Sequence, residues 1–115
     1  MTGDFTIDTI QGITIIKFNM MRATVREVQD FKNILSTVYN EGNKKIIIDL
    51  RQCNYVDSSI LGVIVMNVKE IRIKGGDIRG LLSEGSMINM FTQTGLDKVF
   101  KHFTNIEDAV SSFTN

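Results

Sequence analysis

Asp57-Ser58-Ser59 stands between a continuous apolar run, Ile46-Ile47-Ile48-Asp49-Leu50, and a helically spaced apolar series that begins at Ile60. A serine hydroxyl at the opening of a helix lies beside unpaired backbone N–H groups and the positive end of the helix dipole, surroundings that receive a phosphoryl group well. The chemistry suggested is acceptance of a phosphate at Ser58, with Ser59 as the second candidate. The same residue types also make plain helix caps, because Asp57 or Ser58 accepting a hydrogen bond from a first-turn N–H is worth about 1 kcal/mol. Nucleophilic catalysis by Ser58 would require a base and an orienting group, and the single histidine, His102, is remote in sequence. His102 has no cysteine or second histidine with which to build a metal site. Cys53 has neither a CxxC neighbour nor an evident base and is expected to pack near the strand-to-helix loop. The glycines lack the lysine and serine or threonine of a phosphate-binding loop. No metal, cofactor or enzymatic activity is expected.

The elements that must position this tripeptide are legible as alternating strand and helix signals. Phe5–Ile10 and Ile13–Phe18 are β-branched and flank Gln11-Gly12, the signature of a hairpin. Thr24 and Glu27 have capping-box spacing, and Val25, Val28, Phe31, Ile34, Leu35 and Val38 then recur at helical intervals as far as Asn40-Glu41-Gly42. Lys44–Leu50 is an apolar run with charged ends, as in a central strand covered by helices. Ile60, Leu61, Ile64, Val65, Val68 and Ile71 predict a helix from Ser58 to about Lys74, closed by Gly75-Gly76. A strand from Asp77 to Ser83 follows, then a helix carrying Met87, Met90 and Phe91 that stops at Gly95, an edge strand over Val99–Phe103, and a last helix from Asn105. Met87, Met90 and Phe91 fit either a core stripe or an adaptable apolar docking face. Met20 and Met21 are adjacent in a loop, so at least one is expected to meet a partner. The order is β-β-α-β-α-β-α-β-α. Right-handed crossovers then give an α/β fold with one mixed sheet and helices packed mainly on one face.

Composition bounds the partners. The chain has 115 residues, 43% of them hydrophobic, enough for one compact domain over residues 1–115. Thirteen basic and thirteen acidic residues balance to zero formal charge, so no basic field invites nucleic acid or anionic lipid. The lone Cys53, together with an opening Met1-Thr2-Gly3-Asp4-Phe5 that lacks a signal-peptide pattern, leads to the expectation of a cytoplasmic protein. The longest apolar stretch, Ile60 to Val68, is interrupted by Gly62 and Asn67 and is too short to span a bilayer.

The ordered set of Ile47-Ile48-Asp49-Leu50, Val56-Asp57-Ser58-Ser59, Leu61-Gly62-Val63, Lys74-Gly75-Gly76-Asp77, Phe91-Thr92-Gln93-Thr94-Gly95-Leu96 and Asn105-Ile106-Glu107-Asp108-Ala109 resembles the STAS domain of bacterial anti-sigma-factor antagonists. The resemblance implies a partner-switching regulator without catalysis of its own. Its phosphoacceptor would be Ser58, modified by an ATP-binding serine kinase that doubles as an anti-sigma factor and restored by a metal-dependent serine phosphatase. The unphosphorylated form would bind the kinase and the phosphorylated form would let go. An alternative is a scaffold or adaptor subunit of a signalling or lipid-transport complex that binds constitutively. The expected partner face comprises Asn19, Met20, Met21 and Arg22 with Asp57, Ser59, Ile60 and Gly62. Ile60 stands where members of the family commonly have glycine, and is expected to add bulk to that face. The segment Asn19–Ala23 stands where the family commonly has Gly-x-x-Asp.

Overall fold

The computed structural model describes residues 3–114. Strands β1 (Phe5–Ile10) and β2 (Ile13–Phe18) form the expected hairpin. Its turn is tight because Gln11 and Gly12 both adopt positive φ, 51° and 79°, the left-handed pair that matches the twist of two-residue hairpins. Beyond it come β3 (Arg22–Ala23), α1 (Val28–Asn40), β4 (Lys45–Asp49), β5 (Tyr55–Val56), α2 (Ser58–Ile73), β6 (Asp77–Leu81), α3 (Ser86–Gln93), β7 (His102–Phe103) and α4 (Ile106–Thr114). A five-stranded sheet has the order β1-β2-β4-β6-β7, with β1 antiparallel to β2 and all other neighbours parallel. The fold is therefore the expected mixed α/β sheet.

Two short strands lie outside that expectation. Arg22–Ala23 pairs in parallel with Tyr55–Val56 as a separate two-stranded ribbon. The last strand is also shorter than the sequence suggests: Leu96–Lys98 is a 3-10 turn, Phe100 turns into the core, and only His102–Phe103 pairs with β6. The Thr24–Glu27 capping box forms as expected, but it opens a 3-10 turn, Val25–Glu27, which then runs into α1. Val25 consequently points to solvent at 67% exposure instead of joining the apolar stripe.

The main core lies between the sheet and α1, α2 and α3. Phe18 sits edge-on to both Phe5 and Phe31, with ring centroids 4.9 Å apart in each pair, a favoured aromatic geometry. Ile16, Ile46, Ile48 and Ile78 meet Leu35, Val38, Ile60, Ile64, Val68 and Ile71 on this face. Among the described residues, only α4 covers the reverse face, placing Ala109 and Val110 on Ile13, Ile15, Ile47 and Leu81. At Gly80 a Cβ would lie 2.5 Å from the Phe100 ring, so this strand position is glycine because the ring lies directly on the backbone. Gly80→Ala is expected to force the ring or the strand aside and destabilise the protein by about 2 kcal/mol, read as a lower midpoint in urea unfolding.

Candidate functional site

In a parallel sheet, every crossover starts from the same edge, so the loops that follow β2 and β4 emerge side by side and deliver the first turns of α1 and α2 to one place. The β3–β5 ribbon ties these loops together. The Met21 carbonyl accepts from the N–H groups of Asn54 and Tyr55 at 2.8 and 3.2 Å, and the Asp57 N–H donates to the Ala23 carbonyl at 3.0 Å. The Arg22 guanidinium stacks over the Tyr55 ring at 4.3 Å.

Asp57 is the hub. One carboxylate oxygen accepts from the backbone N–H groups of Ser59 and Ile60 at 3.1 and 3.3 Å and also from the Ser59 hydroxyl. The other accepts from the Val25 N–H at 2.9 Å, so one side chain caps α2 and straps the start of the 3-10 turn to it. The Ser59 hydroxyl, opposed in part by burial and helped by the Ile60, Val25 and Ser59 N–H groups, holds the carboxyl below the usual aspartate range. Of the two cap alternatives left open by the tripeptide, Asp57 fills the role. Its hydrogen bonds engage Ser59 and leave the exposed Ser58 hydroxyl with no protein partner among the described residues.

The other expected partner-face residues divide. Met21 is 65% exposed and Arg22 is exposed, both beside the Asp57 cap, whereas Met20 packs on the main core. Asn19 is committed elsewhere: its amide donates to the Thr6 hydroxyl at 2.6 Å and to the Gly3 carbonyl at 3.2 Å. Ile60 is fully buried, which corrects its placement on the partner face. It lies three residues beyond the cap, where the helix turns inward, and so joins Ile64 and Ile71 in the core. Gly62 is exposed, and a Cβ there would meet nothing within 4 Å. A glycine inside a helix costs roughly 0.5–1 kcal/mol relative to alanine, and no internal contact requires it here. Met87 and Phe91 are core residues, and Met90 is partly buried against them.

Between α1 and α2 runs a groove of about 590 Å³ that starts at Ser58. Gly62, Met66 and Glu70 of α2 line it, facing Lys32, Ser36 and Tyr39 of α1. Nothing in the sequence periodicity marked this groove, because most of its lining flanks the apolar stripes, and only Val28, Leu35, Tyr39 and Val63 belong to the packed apolar residues. Cys53 lies on the loop before β5, 4% exposed, and burial, with smaller contributions from Asp49 and Glu27, pushes its thiol up to about 11. Native protein at pH 8 is therefore expected to react with iodoacetamide far more slowly than urea-unfolded protein. Fast labelling of the native form by mass spectrometry would contradict this burial.

Among the described residues, no group of three or more histidine, cysteine, aspartate or glutamate side chains is placed to hold a metal ion, and no helix is long and apolar enough to cross a membrane. A mixed sheet that brings two loops to a capped Asp-Ser-Ser helix start defines a class of small α/β domains. The model of the STAS domain family matches residues 4–109, and the chain belongs to that family. Among solved structures, an anti-sigma factor antagonist from Mycobacterium paratuberculosis superposes with a TM-score of 0.86 at 14% identity, over 96% of this chain and 93% of that one. A putative anti-sigma factor antagonist from Thermotoga maritima does so with 0.79 at 23% identity, covering 96% and 95%. The anti-sigma factor antagonist SpoIIAA in its unphosphorylated form gives 0.78 at 18% identity, covering 96% of both chains. At these identities the likeness is one of fold.

Proposed function

We propose that this protein is an anti-sigma-factor antagonist that switches partners by phosphorylation at Ser58. The unphosphorylated chain binds an ATP-binding serine kinase that is also the anti-sigma factor, through the first turn of α2 and the Met21-Arg22 loop. A serine phosphatase resets it. The protein works in the cytoplasm and catalyses nothing itself. The observation that carries this reading is the division of labour in Asp57-Ser58-Ser59. Asp57 and Ser59 are consumed by the cap, whereas the exposed Ser58 hydroxyl at the helix start has no partner among the described residues.

The physics of the switch is local. A phosphate adds roughly −1.5 to −2 charges at pH 7, beside Asp57, on a surface that has to lose water when a partner docks. The helix start accommodates the anion without refolding, so the core stays as it is and the binding face changes. The test is to incubate the protein with ATP and the candidate kinase of the same cell, followed by intact mass and site mapping. One phosphate on Ser58 supports the reading. Stable complex formation with no phosphate, unaffected by Ser58→Asp, would replace it with the constitutive scaffold or adaptor.

A further inference from the structure

Ser58, Gly62, Met66 and Glu70 are spaced by four along α2 and form a single ridge beside the α1–α2 groove. Rows of this spacing are the ones that interdigitate when two helices pack. Along the ridge, two small residues are followed by two long ones, the last of them charged. Gly62 is an empty notch, which is unfavourable inside a helix and unexplained by any contact within the protein, so it serves something that approaches from outside. One turn further, Met66 stands 65% exposed, a long flexible apolar side chain with no core to fill. Among the described residues, Lys32 and Glu70 are the one cation and the one anion lining the groove. They occupy opposite halves of it. The strap from Asp57 to Val25 joins the first turns of the two helices, and the Lys74 ammonium, 4.8 Å above the Tyr39 ring, joins their last turns. Lys32 therefore lies toward the Ser58 end and Glu70 toward the Tyr39 end.

We infer that this ridge is a self-association surface on which a second copy of the chain docks with its α2 antiparallel, setting Met66 of each copy into the Gly62 notch of the other. The same register carries Glu70 of each copy to the Ser58 end of the other, toward Lys32 and the positive end of the helix. Knob and notch, cation and anion all lie on one surface in an order that an antiparallel copy satisfies together, which is the requirement of a two-fold interface. One helix ridge and its flanks bury less than the ~1,200 Å² of a stable complex, so the dimer is weak and reversible. Ser58 is covered in it. Association and modification at Ser58 therefore exclude each other, and a phosphate facing Glu70 holds the chain as a monomer.

The test needs no kinase and stands apart from the partner-switching reading. Sedimentation equilibrium of the purified full chain, loaded from about 10 μM to about 1 mM to suit a weak interface, is expected to show a reversible monomer–dimer equilibrium. Gly62→Gln, which fills the notch, and Glu70→Lys, which opposes Lys32, are each expected to weaken dimerisation at least tenfold. The double variant Lys32→Glu/Glu70→Lys is expected to regain most of it, and circular dichroism checks that each variant is folded. A chain that stays monomeric at the highest concentration overturns the inference. So does a dimer whose strength is indifferent to Glu70→Lys, or one weakened by it and not recovered by the charge swap, which would place the contact elsewhere, for instance along the free edge of β1.

Discussion

Asp57→Ala is expected to lower the unfolding free energy by about 2 kcal/mol, more than an ordinary cap, because two different connections are lost. The first is the cap itself, the acceptor for the Ser59 and Ile60 N–H groups and the Ser59 hydroxyl. The second is the strap to the Val25 N–H, a bond between segments 32 residues apart in sequence. Asp57→Asn separates them. Asparagine caps as well as aspartate does, but it has one carbonyl oxygen, so an amide oxygen kept on the cap turns an NH2 group toward the Val25 N–H. Its loss is expected to fall between wild type and alanine.

The wild type carries a pH signature that both variants lack. The Asp57 carboxyl is held below its ordinary range in the folded protein. The stabilisation is thus fully present above the unfolded-chain value of about 3.9 and is lost as pH falls from there through the folded value. Urea unfolding at pH 7 and at pH 3 measures this directly. The gap in stability between wild type and Asp57→Asn should narrow on acidification, and a gap that does not change with pH would show that Asp57 is held by nothing that senses its charge.

The parts of this molecule that were legible in sequence are those whose causes are local. Gln11-Gly12 marked the hairpin because two consecutive residues at positive φ demand such side chains. Thr24 and Glu27 marked a helix start through a bond pattern closed within three residues. What escaped was non-local. The β3–β5 ribbon has two residues per strand and no alternation to detect, and it exists because Met21 and Ala23 carbonyls find donors more than thirty residues away. Asn19 was placed on the partner loop, yet its amide is held by Thr6 and Gly3. Ile60 is the most instructive case. Positional resemblance to glycine put it on the surface, while the helical spacing Ile60, Ile64, Val68, Ile71 already put it in the core. Periodicity was the better guide because it reports the direction of a side chain, and a positional match to another chain does not.

Ser58→Asp is expected to weaken binding to the cognate kinase by about 100-fold, equivalent to ~2.7 kcal/mol, whereas Ser58→Ala keeps it within a few-fold. The asymmetry follows from the surroundings of the hydroxyl. It has no hydrogen-bond partner among the described residues, so its removal breaks none of their bonds and leaves the Asp57 cap intact. A carboxylate at the same place adds charge beside Asp57 and must be desolvated on docking, a cost of several kcal/mol for an uncompensated ion. The positive end of α2 offsets only part of that cost. Aspartate carries one charge where phosphoserine carries nearly two, so genuine phosphoprotein should bind more weakly still. Thermal unfolding of Ser58→Asp should lie close to that of the wild type, since an acidic residue in the first turn of a helix is favourable. Calorimetric titration of the three proteins into the kinase, each paired with its melting temperature, separates the readings. Loss of affinity in Ser58→Asp with an unchanged melt assigns the switch to the surface of α2, whereas parallel loss of both would mean that Ser58 acts through the fold.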